Sequence, residues 1–158
     1  MAYDFFGIPV SELNVWLIWI LPFAAAMIIP AVGKFSKLTT GRVAVAFAAM
    51  SAISAATLFP MALGAHEIHH QIMWIDAIGL KAGVLADPLS VIMSNVVGWI
   101  SFLIMCYSTG YMKGDKDITR FWFWMMFFIG SMQLIILSDN LLQVFFGWEG
   151  VGLASYAL

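Results

Sequence analysis

Five long apolar stretches, residues 13–33, 43–63, 89–111, 121–137 and 140–158, decide what this chain can become. Each is close to the roughly 20 residues a helix needs to cross about 30 Å of hydrocarbon. Hydrophobic residues make up 63% of the 158 and charged ones 10%. A soluble domain has about 45–50% and 25%, so the expected fold is all-α and integral to the membrane. Residues 1–158 form a single membrane domain of five transmembrane helices, with no room for a soluble one. No basic tract or linker points to nucleic acid as a partner; the expected partners are the lipid bilayer and other membrane subunits.

The connections carry the finer expectations. Residues 1–12 read as a helical turn lying at the interface, and Pro22 and Pro30 predict a kink in the first span. Residues 34–42 read as a compact loop. The second span, 43–63, is rich in Ala and Ser, which lets neighbouring helices pack closely in lipid, so it belongs inside a bundle. The 64–88 loop predicts a short β-hairpin around Ile72–Leu85, with Gly79 and Gly83 as turn points. Asn140 reads as the N-cap of the last helix, with Gln143 completing a variant of the capping box. Six of the seven Lys and Arg residues fall in the segments after spans one and three. By the positive-inside rule the N-terminus then lies outside and span five runs inward.

Among the Asp, Glu, Lys, Arg and His residues of the chain, Glu149 alone falls within the five spans. Nine residues past Asn140, at 1.5 Å per residue, it lies about 14 Å deep, near the bilayer midplane. An ionisable group there costs about 2.5–3.5 kcal/mol on insertion scales and by default marks function. Glu149 is therefore the candidate proton-carrying residue; the structural alternative is a protonated Glu joining two helices by a hydrogen bond. Gly147, Gly150 and Gly152 leave the helix thin around it, so that another backbone or water can approach the carboxyl. Its expected polar neighbours are Ser94, Asn95, Ser131 and Gln133, each more simply an interhelical hydrogen-bonder, and Tyr156 lies two turns further in.

His66-Glu67-Ile68-His69-His70 matches H-E-x-x-H in form. Zinc chemistry would need both outer histidines on one helical face and a third ligand; in a loop, interfacial histidines are the plainer reading. The single Cys106 lies within span three and is not a metal site by itself. No metal-binding or cofactor-binding residue is assigned.

Residues Ser138-Asp-Asn-Leu-Leu-Gln-Val-Phe-Phe-Gly-Trp-Glu-Gly-Val-Gly-Leu-Ala-Ser-Tyr156, together with Ala86-Asp-Pro-Leu-Ser90 and Gly110-Tyr-Met-Lys-Gly114 upstream, closely resemble the antiporter-like subunit L (chain 5) family of respiratory complex I. The resemblance is strong over roughly 85–158 and rests on hydropathy alone before that. It implies a proton-translocating membrane subunit of an NADH:quinone oxidoreductase, with Glu149 as the channel glutamate that pairs with a lysine on a later, broken helix. It also implies that NADH, FMN, Fe–S clusters and quinone belong to partner subunits and none to this chain. The location implied is the cell membrane, or the mitochondrial inner membrane in a eukaryote. Family members carry more than a dozen spans, so these residues correspond to the N-terminal five, as a fragment or a split subunit. The alternatives are a subunit of a multisubunit cation/proton antiporter or membrane-bound hydrogenase and, in a different class, a non-transporting membrane scaffold.

Overall fold

A computed structural model describes residues 4–5, 8–64, 67–76 and 79–158. Two short strands, β1 (Asp4–Phe5) and β2 (Ile8–Pro9), pair antiparallel ahead of the first helix. They replace the expected helical turn. Pro9 has no N–H to give and a fixed φ, which suits the residue just before a helix begins.

α1 (Val10–Phe35) is continuous through Pro22 and Pro30, and α2 (Lys37–Thr57) follows after one non-helical residue, the extended Ser36. The compact loop expected over 34–42 is thus helical at both ends. Lys and Arg are good helix formers, so a charged stretch can leave the membrane without leaving the helix. The second span breaks instead at Leu58, before the single-turn α3 (Phe59–Leu63). Pro60 has no N–H to return to the carbonyl of Ala56, and its ring crowds that carbonyl.

β3 (Ile68–Ile75) and β4 (Leu80–Ala86) form the expected hairpin, longer than expected, with an irregularity between Met73 and Ile75; Gly83, expected at a turn, lies instead within β4 opposite Gln71. Gly79 turns at φ 65, a left-handed conformation open to glycine. α4 (Pro88–Tyr111) starts at a full capping box. Ser90 N–H donates to Asp87 Oδ1 at 2.7 Å, and Asp87 N–H donates to Ser90 Oγ at 2.8 Å. Hydrogen bonding to the carboxyl by the Ser90 side chain and backbone holds Asp87 below the usual carboxylate range. α5 (Ile118–Leu137) and α6 (Leu141–Ala157) complete the chain.

Four helical segments, Glu12–Phe35, Lys37–Leu63, Pro88–Tyr111 and Ile118–Leu137, are long and apolar enough to cross a membrane. α6, with 17 residues, sits at the short end of the spanning range of about 17–25. α1 lies between α2 and α5, α2 also packs on α4, and α6 packs chiefly on α5. Two apolar cores divide the bundle along its length. One, beneath the hairpin, joins Val15, Ile18, Leu58, Val84, Val91 and Leu137. The other, at the opposite end, joins Ile29, Ala44, Ala48, Met105, Trp122 and Met126. The face that α2 buries is small throughout: Gly41, Ala44, Ala48, Ser51, Ala52 and Ala55. This is the close packing its composition predicts.

Candidate functional site

α6 is fixed first at its outer end. Asn140 Oδ1 accepts from the Gln143 N–H at 2.9 Å, the N-cap expected of it. The Gln143 side chain does not return to the Asn140 backbone. Its Oε1 accepts from Asn140 Nδ2 at 3.2 Å and from the Gly83 N–H of β4 at 3.1 Å, tying the first turn of α6 to the hairpin through its buried Gln143. Asp139 strengthens the join. Its carboxyl accepts from Gln71 Nε2 at 2.6 Å and faces His69 Nε2 at 3.2 Å. Burial raises the Asp139 pKa, but the bonds from Gln71, His69 and Asn140 and the charge of His69 outweigh it and hold the group below its ordinary value.

From this anchor Gln143, Gly147, Gly150 and Ala154 form the buried face of α6, a spacing of three and four residues that keeps to one side of a helix. A Cβ on Gly147 would fall 2.6 Å from Ile135 Cγ1 and 3.0 Å from the Ser131 carbonyl oxygen; one on Gly150 would meet Ser131 and Phe127. These two glycines therefore bring α6 against α5, and neither opens a path to the acid. Gly152 differs, with nothing within 4 Å of where its Cβ would be. It lies three residues from Glu149 and shares that side of the helix.

Glu149 is exposed on the side turned away from α5, alongside Phe145, Phe146, Leu153 and Tyr156. Among the described residues its carboxyl has no hydrogen-bond or ion-pair partner. The four polar residues expected near it are engaged elsewhere. Ser94 Oγ donates to Gln133 Oε1 at 2.7 Å, and Gln133 Nε2 returns to the Ser94 carbonyl at 3.0 Å. Asn95 Nδ2 donates to the Ala55 and Val91 carbonyls, both at 2.9 Å, and Ser131 Oγ donates to Phe127 O at 2.9 Å. The reason is one of helix rotation. Packing α6 through its smallest residues maximises contact with α5, and that rotation points the acid outward.

The H-E-x-x-H match does not form a helical pair. His66 lies outside the described residues, and His70 lies on strand β3. Its Nδ1 accepts from Trp16 Nε1 at 3.1 Å and its Nε2 faces Glu12 Oε2 at 3.6 Å. Among the described residues no three His, Cys, Asp or Glu side chains gather as a metal site. The clamp formed by His69, Gln71, Asp139, Gln143 and Gly83 was not anticipated. Its only trace in the sequence is the polar run His69-His70-Gln71, which lies just ahead of the hairpin expected over Ile72–Leu85.

Residues 73–122, from the hairpin through α4 into α5, match the family described as NADH-Ubiquinone oxidoreductase (complex I), chain 5 N-terminus. The chain is 38% identical over 147 residues to NADH-quinone oxidoreductase subunit L of Rickettsia bellii, an alignment covering 90% of this chain and 23% of that protein. Against NAD(P)H-quinone oxidoreductase subunit 5, chloroplastic, of Spinacia oleracea it is 35% identical over 153 residues, 90% of this chain and 21% of the relative. Against NADH-ubiquinone oxidoreductase chain 5 of Dictyostelium discoideum it is 34% identical over 144 residues, 88% and 22%. These relatives are all subunit L, subunit 5 or chain 5 proteins, and the chain is similar to the N-terminal region of that family. It spans less than a quarter of the length of these curated relatives. The similarity also reaches further back than the resemblance over 85–158 suggested, since 90% coverage of the chain takes in part of the first two helices.

Proposed function

We propose that these residues form the N-terminal helices of a proton-translocating membrane subunit of an NADH:quinone-type oxidoreductase, with Glu149 as its mid-membrane protonatable group. One observation carries the reading. α6 packs its Gly147-Gly150-Ala154 face on α5 and turns a lone carboxyl, about 14 Å from the helix start, to the open side. An ionisable group bare to hydrocarbon is costly, so this side of α6 is a face to be covered. In relatives more than four times as long, later helices are available to cover it. The resemblance supplies a lysine there, whose charge would favour the carboxylate and drive release of its proton.

The chain's own groups hold and pass a proton; they transfer no electrons. Redox groups belong to partner subunits in this reading, and the membrane is the energy-coupling membrane of the host. The relatives are named for different donors and quinones, as expected of a subunit that touches neither.

The test is Glu149→Gln in the assembled complex, with proton pumping measured in vesicles alongside quinone reduction. Normal assembly with reduced pumping is expected, and full pumping would overturn the assignment. Wild-type behaviour of Glu149→Leu in both assembly and pumping would instead make the chain a scaffold. Sodium-dependent exchange needing no electron donor would make it an antiporter subunit.

A further inference from the structure

At the end of the bundle away from the hairpin, α2, α4 and α5 leave a cavity of about 410 Å³, whose walls include Lys37, Gly41, Arg42, Thr109, Lys113 and Trp122. Three cations converge on it. Lys37 Nζ is held by a 2.8 Å bond to the Lys116 carbonyl. Among the described residues no carboxylate pairs with any of the three; the ion pairs lie at the other end, at His69 and His70. Asp115, in the adjoining turn, instead accepts from the Asp117 N–H.

Two further observations show that donors here lack acceptors. Trp122 is 1% exposed and its Nε1 has no hydrogen-bond partner. That edge of the ring faces Gly41 in the cavity wall, with Nε1 3.3 Å from where a glycine Cβ would stand. The first turn of α2 opens beside the same space, and Ser36 makes no side-chain cap to its free N–H groups. Three cations, a buried indole N–H and a bare helix start together want an anion with several oxygens.

The surroundings indicate what carries that anion. Tyr107 and Tyr111, exposed on α4 and stacked 5.9 Å apart, mark headgroup depth. From Arg42, α2 continues toward the membrane interior through exposed Met50 and Ile53. We infer that the cavity seats the phosphate of an anionic phospholipid whose acyl chains lie along this side of α2. A basic pocket between spans on the side rich in Lys and Arg has the chemistry such a lipid needs. A soluble phosphate would use the cations and leave the apolar strip unused.

The experiment titrates the detergent-solubilised full-length assembly with phosphatidylglycerol, phosphatidylcholine or inorganic phosphate. It follows bound lipid by native mass spectrometry and protection of 37–42 by hydrogen exchange. Phosphatidylglycerol is expected to bind and protect, and the other two are not. Arg42→Gln with Lys113→Gln should weaken that binding about thirtyfold, whereas Arg42→Lys with Lys113→Arg should keep most of it. Both positions are exposed, so the fold tolerates either pair. Equal protection by inorganic phosphate or by phosphatidylcholine, or unchanged binding in the glutamine pair, would overturn the inference.

Discussion

Three glycines on one helix make a test with two opposite signs. In Gly147→Ala the new methyl falls 2.6 Å from Ile135 Cγ1 and 3.0 Å from the Ser131 carbonyl oxygen. The second of these is backbone and cannot swing aside. Overpacking of this kind costs about 1–3 kcal/mol, against a gain of about 0.5–1 kcal/mol from helix propensity, so the net change runs from about zero to a loss of about 2.5 kcal/mol. Gly152→Ala adds its methyl to open space and keeps only the propensity gain, about 0.5–1 kcal/mol. Thermal or SDS unfolding of the 158-residue chain in micelles, followed by circular dichroism, should rank the variants Gly152→Ala, wild type, Gly147→Ala from most to least stable. Equal shifts for the two variants, or a more stable Gly147→Ala, would refute the packing of α6 through its glycine face, and the outward aim of Glu149 would go with it.

Asp139→Asn removes a charged acceptor from Gln71 and His69, and should cost about 1.5–3 kcal/mol of hairpin stability, read as faster amide exchange across Ile68–Ala86 at neutral pH. Because the folded Asp139 pKa is depressed, its contribution is present above the unfolded value of about 3.9 and is lost as pH falls through the lower folded value. The wild-type hairpin should therefore loosen below about pH 4, while the variant should lack that step. Gln133→Leu strands the buried Ser94 hydroxyl and should cost about 1–2 kcal/mol. Adding Ser94→Ala should restore part of the loss, and a strictly additive double variant would mean the pair is not coupled.

The helices, the hairpin and the Asn140 cap were legible because each has a local cause: an apolar run, Gly79 at the turn, a short polar side chain before an apolar segment. The ends of α1 and α2 were not. Charge at 34–42 marks where the chain leaves hydrocarbon, and a helix need not stop there; the true stop, before Pro60, lies within apolar sequence. The depth of Glu149 followed from counting residues. Its direction did not, because α6 is apolar on nearly every side and lipid is as good a neighbour for Leu or Phe as another helix is. The cue was the Gly147-Gly150-Ala154 stripe. The three glycines read in sequence as serving either packing or access, and the structure gives the packing role to Gly147 and Gly150, which face α5, while Gly152 alone lies open beside the acid.

The unequal fastening of α6 has a mechanical corollary. Its outer end is held at Asn140 and Gln143 by bonds to the Lys81 carbonyl and the Gly83 N–H of the hairpin, and its inner end, among the described residues, by one bond from Arg120 to the Ala157 carbonyl at 2.9 Å. Any rocking of the rod therefore pivots at the top. Glu149, about 9 Å below that hinge, sweeps an arc less than half that of Tyr156, about 20 Å below it. A lever hung this way lets its free tip follow neighbours on the inner side while its acid moves less than half as far.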